Sequence, residues 1–105
     1  MHVHSGVDIA ARCGEDVRAT TAGIVVFTGQ GRNYGRFVDI DHQNGYIARY
    51  GHLSRIIVKD GMLVKRGDII GLVGNTGRAT GYHLHYEIRR NKIPTDPTSY
   101  FFPEK

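Results

Sequence analysis

The sequence predicts an all-β domain, an antiparallel sheet core of short hairpin-connected strands. Three observations carry that prediction. Fourteen glycines, six tyrosines and no tryptophan, set among many valines and isoleucines, favour turns and strands over helices. No window of useful length has helical periodicity. Asn44-Gly45 is the strongest short-range hairpin signal in the chain. With 105 residues and 40% hydrophobic content, the chain supports one modest core, so residues 1–105 are read as a single domain.

Glycine turns punctuate the strand candidates in order. Residues 23–29 (GIVVFTG), 36–42 (RFVDIDH), 45–52 (GYIARYGH) and 68–74 (DIIGLVG) are apolar or alternating runs of strand length. Between the first two, GQGRNYG at 29–35 reads as a flexible loop. The stretch VKDGMLVKRGDIIG suits short strands folded tightly over one another. In 45–52, alternation assigns Tyr46, Ala48, Tyr50 and His52 to one face, with His52 where the strand runs out towards a cleft edge. In GYHLHYEI (81–88), His83 and His85 fall on one face and Leu84, Tyr86 and Ile88 on the other, the expected core side.

A net charge of +4 favours anionic surroundings, such as nucleic acid, an acidic wall polymer or a membrane surface. The single Cys13 excludes an internal disulfide and is expected to be a small buried hydrophobe. No stretch approaches the roughly twenty apolar residues of a membrane-spanning helix, and MHVHSGVD has no signal-peptide core. The chain is thus expected to be either cytosolic or a mature or excised domain.

Two imidazoles on one strand face can bind a metal, share a proton or sit in water, and their spacing alone does not choose. HSGVD adds His4 and Asp8, and RYGHLS adds His52. Zinc is held well by imidazole nitrogen and carboxylate oxygen, and a catalytic site commonly uses three protein ligands with one position open. Two histidines and an aspartate fill that role. The two remaining imidazoles have a pKa range suited to moving protons near neutral pH, so the count matches a hydrolase.

HSGVD, YGHLS and HLH, in this order and approached by GLVGNTGRATG, resemble the signature of the lysostaphin and LytM family of zinc metallopeptidases, which cut peptide bonds in bacterial peptidoglycan. The resemblance covers essentially the whole chain. It implies one zinc ion held by His4, Asp8 and His85, with His52 and His83 acting in catalysis. Further implied are an antiparallel sheet core with a groove above it, of the lysostaphin type (a duplicated hybrid motif), peptidoglycan peptides as substrate, and a periplasmic, envelope or secreted location. Family domains commonly carry another strand and loop before the first ligand, so a truncated N-terminal side is expected, with an upstream segment or regulatory protein as a partner. Tyr82 and Tyr86 stand where the family usually has proline and phenylalanine, and CGEDV replaces a more usual Gly-Thr-Pro-Val.

Bland alternatives stand beside these assignments. Glu87 continues the His83–His85 face, either orienting a ligand or lying in solvent paired with Arg89 or Arg90. His42, beside the hairpin turn, is expected to be solvated, and His2 a frayed terminus. Tyr34 and Tyr50 either line a groove or pack in the core. Arg32, Arg36, Arg78, Arg89 and Arg90 either meet an anionic polymer or form a solvated surface. Among other classes, a non-catalytic regulator built on the same fold is countered by the presence of all five motif residues. A biotinyl or lipoyl carrier lacks the required context at Lys59 and Lys65. A nucleic-acid binder lacks aromatic-basic interleaving in any strand, so no nucleic acid is expected as a partner.

Overall fold

The structure is a computed structural model that describes residues 6–42, 46–75, 83–90 and 93–95. Every described element is a strand. They are β1 (Gly6–Ala10), β2 (Asp16–Arg18), β3 (Gly23–Gly31), β4 (Gly35–Asp41), β5 (Tyr46–Ile56), β6 (Leu63–Val64), β7 (Ile69–Val73), β8 (His83–Arg90) and β9 (Ile93–Thr95). All pair antiparallel in one sheet, with β1-β8-β5-β4-β3-β6 as its main path. β7 joins β2 to the far end of β5, and β9 pairs with β8. The all-strand antiparallel prediction is thus met.

The eleven-residue β5 organises the sheet because its two halves serve different neighbours. β4 runs along one edge, whereas the other edge meets β8 from Tyr46 to Gly51 and β7 from Leu53 to Ile56. One apolar layer results. Val25, Val38, Ile40, Ala48, Tyr50, Tyr86 and Ile88 line it from the central strands, and Val17 of β2, Ala19 just after it, and Ile70 and Val73 of β7 close it. The Tyr50 and Tyr86 rings meet edge to face at 5.1 Å, an arrangement that adds about 0.5–1.5 kcal/mol beyond area burial. Their hydroxyls are satisfied together at Thr20 Oγ1, 3.1 Å from the Tyr50 hydroxyl and 3.0 Å from that of Tyr86. The Thr20 N–H also donates to the Tyr50 oxygen.

Several local expectations change. The segment 29–35 is no flexible loop: Gly31 pairs with Gly35 and Gln30 with Arg36, so the strands close on a turn of only Arg32, Asn33 and Tyr34. Gly35 leaves that turn at φ 63°, a conformation cheap for glycine. His42 is half-buried, its Nδ1 2.8 Å from the Ala22 carbonyl oxygen, which replaces the solvated reading. Cys13, expected to be buried, is exposed. Tyr50 is core rather than groove lining. The turn at Asn44-Gly45 lies outside the described residues; on either side of it Asp41 pairs antiparallel with Ile47, and the His42 N–H donates to the Tyr46 carbonyl at 2.9 Å.

Candidate active site

On β8 the alternation holds as the sequence requires, with Tyr86 and Ile88 in the core and His85 and Glu87 on the opposite face. On β5 it breaks. Between the pairs Val38–Tyr50 and Arg36–Leu53, β4 advances by two residues and β5 by three, so Gly51 and His52 together oppose Phe37. This is a β-bulge, and the extra residue inverts the side-chain parity beyond it. Leu53 therefore falls into the core, and His52 does not share the face of Tyr46, Ala48 and Tyr50 that simple alternation assigns it.

His52 adopts φ 61°, the only left-handed conformation at a non-glycine position among the described residues. Two backbone hydrogen bonds hold it there: its N–H donates to the Tyr34 carbonyl at 2.6 Å, and its carbonyl accepts from the Gly74 N–H at 3.0 Å. A Cβ at Gly74 would come within 2.5 Å of the Ser54 nitrogen, so only glycine allows that approach. The bulge turns the buried His52 imidazole to the ring of His85, with centroids 5.9 Å apart and planes at 68°.

Cross-strand register adds the aspartate. His85 is flanked by Gly51 of β5 and by Asp8 of β1, which makes Asp8 its direct partner, while Ala10 lies opposite His83. His4 and the side chains of Asp8 and His83 lie outside the described residues. Among the described residues no three His, Cys, Asp or Glu side chains form a metal-holding group.

Behind His85 stands a polar assembly that the sequence reading largely missed. Glu87 is wholly buried, and its Oε1 lies 3.1 Å from His85 Nε2 while accepting the Tyr34 hydroxyl at 2.8 Å. The solvated alternative for Glu87 is thereby excluded. Next to it, opposite Glu87 in register, Arg49 donates two 2.8 Å hydrogen bonds to Asp39 and stacks its guanidinium 4.7 Å over Tyr34 and 4.3 Å over Phe37. The bonds to Asp39 push the Arg49 pKa above its ordinary value, outweighing the effect of burial, and hold the guanidinium charged. One signal was readable. Arg49 alternates with Ala48 and Tyr50, which puts its charge on the same face as Glu87.

The curled all-strand antiparallel sheet is the fold of lysostaphin-type peptidase domains. The chain belongs to peptidase family M23, whose family model matches residues 2–97. The catalytic domain of the antimicrobial peptidase lysostaphin from Staphylococcus simulans is similar at TM-score 0.88 and 33% identity, over 94% of this chain and 79% of that one. A zinc-containing peptidase from Vibrio cholerae is similar at TM-score 0.83 and 42% identity, over 88% of this chain and 28% of that one. In sequence, the DD-carboxypeptidase/endopeptidase Mpg of Neisseria meningitidis serogroup B is 46% identical over 101 residues, covering 96% of this chain. The chain spans 23% of Mpg's own length.

Proposed function

We propose that this domain is a zinc-dependent endopeptidase that hydrolyses peptide bonds in peptidoglycan stem peptides or cross-links, as one domain of a longer cell-envelope protein. The observation that carries the reading is the facing pair of His52 and His85, with Glu87 on the far nitrogen of His85. Membership of family M23 and the likeness to a zinc-containing peptidase support it.

The residues fit zinc. Asp8 and His85, paired across β1 and β8, are oxygen and nitrogen donors of the kinds zinc favours. A carboxylate on the second nitrogen of a ligating histidine is a common support for such a ligand. His4 is proposed as the third ligand. Zinc in such a site supplies a water acidified towards a pKa of roughly 7 and polarisation of the scissile carbonyl. The chain's own part is to handle protons and charge. His83 is assigned as general base, taking the proton of the attacking water, and His52 as the donor to the oxyanion that develops on the carbonyl, with the exchanged assignment as the alternative.

The experiment is incubation of the purified chain with peptidoglycan, with zinc, without it and with chelator, and identification of released fragments by mass spectrometry. Chelator-sensitive release establishes the peptidase and names the bond. No release from folded, zinc-loaded protein favours the second class, a domain that binds the wall or activates another hydrolase.

A further inference from the structure

Tyr34 touches both histidine-bearing segments at once, although it sits in a three-residue turn and belongs to none of the histidine motifs. Its carbonyl accepts the His52 N–H at 2.6 Å. Its ring lies 5.5 Å from that of His85, centroid to centroid. Its hydroxyl donates to Glu87 Oε1 at 2.8 Å, and that same oxygen lies 3.1 Å from His85 Nε2. The phenol is also braced from outside, because Arg49 covers its ring while tied to Asp39 by two hydrogen bonds.

The direction of these bonds has a chemical consequence. A carboxylate oxygen that accepts a hydroxyl proton accepts from the imidazole as well, so the proton of neutral His85 belongs on Nε2. The lone pair of a neutral imidazole then resides on Nδ1. Without the tyrosine hydroxyl, the buried carboxylate loses a hydrogen bond that orients it.

We propose that Tyr34 is a positioning residue whose hydroxyl, acting through Glu87, fixes His85 as its Nε2–H tautomer and thereby presents Nδ1 as the ligating atom, while its carbonyl sets the His52 bulge. The proposal rests on the zinc reading above, and it adds a residue outside the family motifs together with the order in which the contacts act.

The test uses the full chain and zinc alone as the probe. Zinc affinity is measured by competition with a chromophoric chelator for wild type, Tyr34→Phe, Glu87→Gln and the double variant. Long-range ¹⁵N–¹H correlation spectra of the metal-free chain read the His85 tautomer. We expect Nε2–H in wild type and zinc binding on the order of 10–100-fold weaker in Glu87→Gln, as for other supports of ligating histidines. Tyr34→Phe should bind several-fold more weakly than wild type and should add nothing further in the Glu87→Gln background, because the hydroxyl acts through that carboxylate. Circular dichroism establishes folding, and should Glu87→Gln fail to fold, Tyr34→Phe decides, since it keeps the ring and its stacking. An Nδ1–H tautomer in wild type, wild-type affinity in Tyr34→Phe, or losses that simply add in the double variant would overturn the proposal. Wild type that binds no zinc overturns the peptidase reading and this inference with it, whereas equal binding by wild type and variants overturns this inference alone.

Discussion

His52 and His85 face each other across the seam of β5 and β8, ring centroids 5.9 Å apart, because one extra residue in β5 inverts the facing of His52. An unbroken β5 would send the imidazole towards the layer that Leu53 fills. The pairing of the two rings is therefore made by the backbone, at φ 61°. A left-handed conformation at a non-glycine residue raises the energy of the fold, and such strain collects where a side chain has a task to perform.

This strain gives the first prediction. At position 52, glycine adopts the observed φ without a Cβ penalty, so His52→Gly should be more stable than His52→Ala by about 1 kcal/mol, the reverse of the usual order in a strand. Both variants should lose peptidoglycan turnover. Urea denaturation of the two decides it, and a more stable alanine variant would mean that the left-handed bulge is not held at this residue.

Thr20 is the second test. Its hydroxyl bonds to both Tyr50 and Tyr86, the paired aromatics of the core, from the segment between β2 and β3. Thr20→Val keeps the shape and removes both bonds, so it should destabilise by about 1–3 kcal/mol in urea unfolding. Removal of the Tyr86 hydroxyl as well, in a double-mutant cycle, should cost clearly less than the sum of the single changes.

Much of the architecture was legible because apolar alternation and glycine turns are local signals. The runs at 23–29, 36–42, 45–52, 68–74 and 81–88 correspond to β3, β4, β5, β7 and β8. Of the short strands, β6 falls in the stretch 58–71 read as short folded strands, whereas β1, β2 and β9 were not legible: three to five residues are too few for a period to stand out, and long-range pairing stabilises them. In the site, the motifs singled out His52 and His85, but parity assigned His52 to the wrong face because a bulge leaves no mark in a pattern of alternate residues. Glu87 stayed ambiguous for a different reason. Its carboxylate is met by Tyr34, a residue 53 positions away that arrives through the β3–β4 turn.

His42 supplies a pH-dependent prediction. Burial lowers its pKa from the ordinary 6.5 despite the bond to the Ala22 carbonyl and the nearby Asp41, so the folded chain binds this proton less readily than the unfolded one. Its contribution to stability is then fully present above pH 6.5 and is lost as pH falls from there through the lowered folded value. His42→Asn retains an N–H to offer the Ala22 carbonyl and removes the titration. The difference in urea midpoint between wild type and this variant should shift against wild type from pH 7.5 to pH 5.5, and a difference independent of pH would refute the assignment.

Arg49 tests the brace behind the site. Lysine keeps the charge but provides neither the two-pronged contact to Asp39 nor the flat surface that lies on Tyr34 and Phe37. Arg49→Lys should therefore destabilise by about 1–3 kcal/mol, since the nearly buried Asp39 loses half of its paired contact. Equal stability of the two proteins in urea would show that charge alone matters at this position.

The division of labour among the histidines gives the last prediction, and it separates metal retention from turnover. Asp8 and His85 are partners in strand register, and both are assigned to the metal. Asp8→Ala and His85→Ala should each leave a folded chain that fails to retain zinc through dialysis, because a three-residue ligand set that loses one member keeps too few donors. His52 reaches the same place from a different strand and through a bulge held by Tyr34 and Gly74, an arrangement that aims the imidazole without requiring a metal bond. His52→Ala and His83→Ala should accordingly retain one zinc per chain by elemental analysis while peptidoglycan release falls on the order of 10²–10⁴-fold, the usual contribution of a proton-transfer or oxyanion-binding group. Loss of zinc from His52→Ala would move that residue into the ligand set. Retention of zinc by His85→Ala would instead require the hydrogen bond between Glu87 and His85 to be reread as a contact between a catalytic imidazole and its orienting carboxylate.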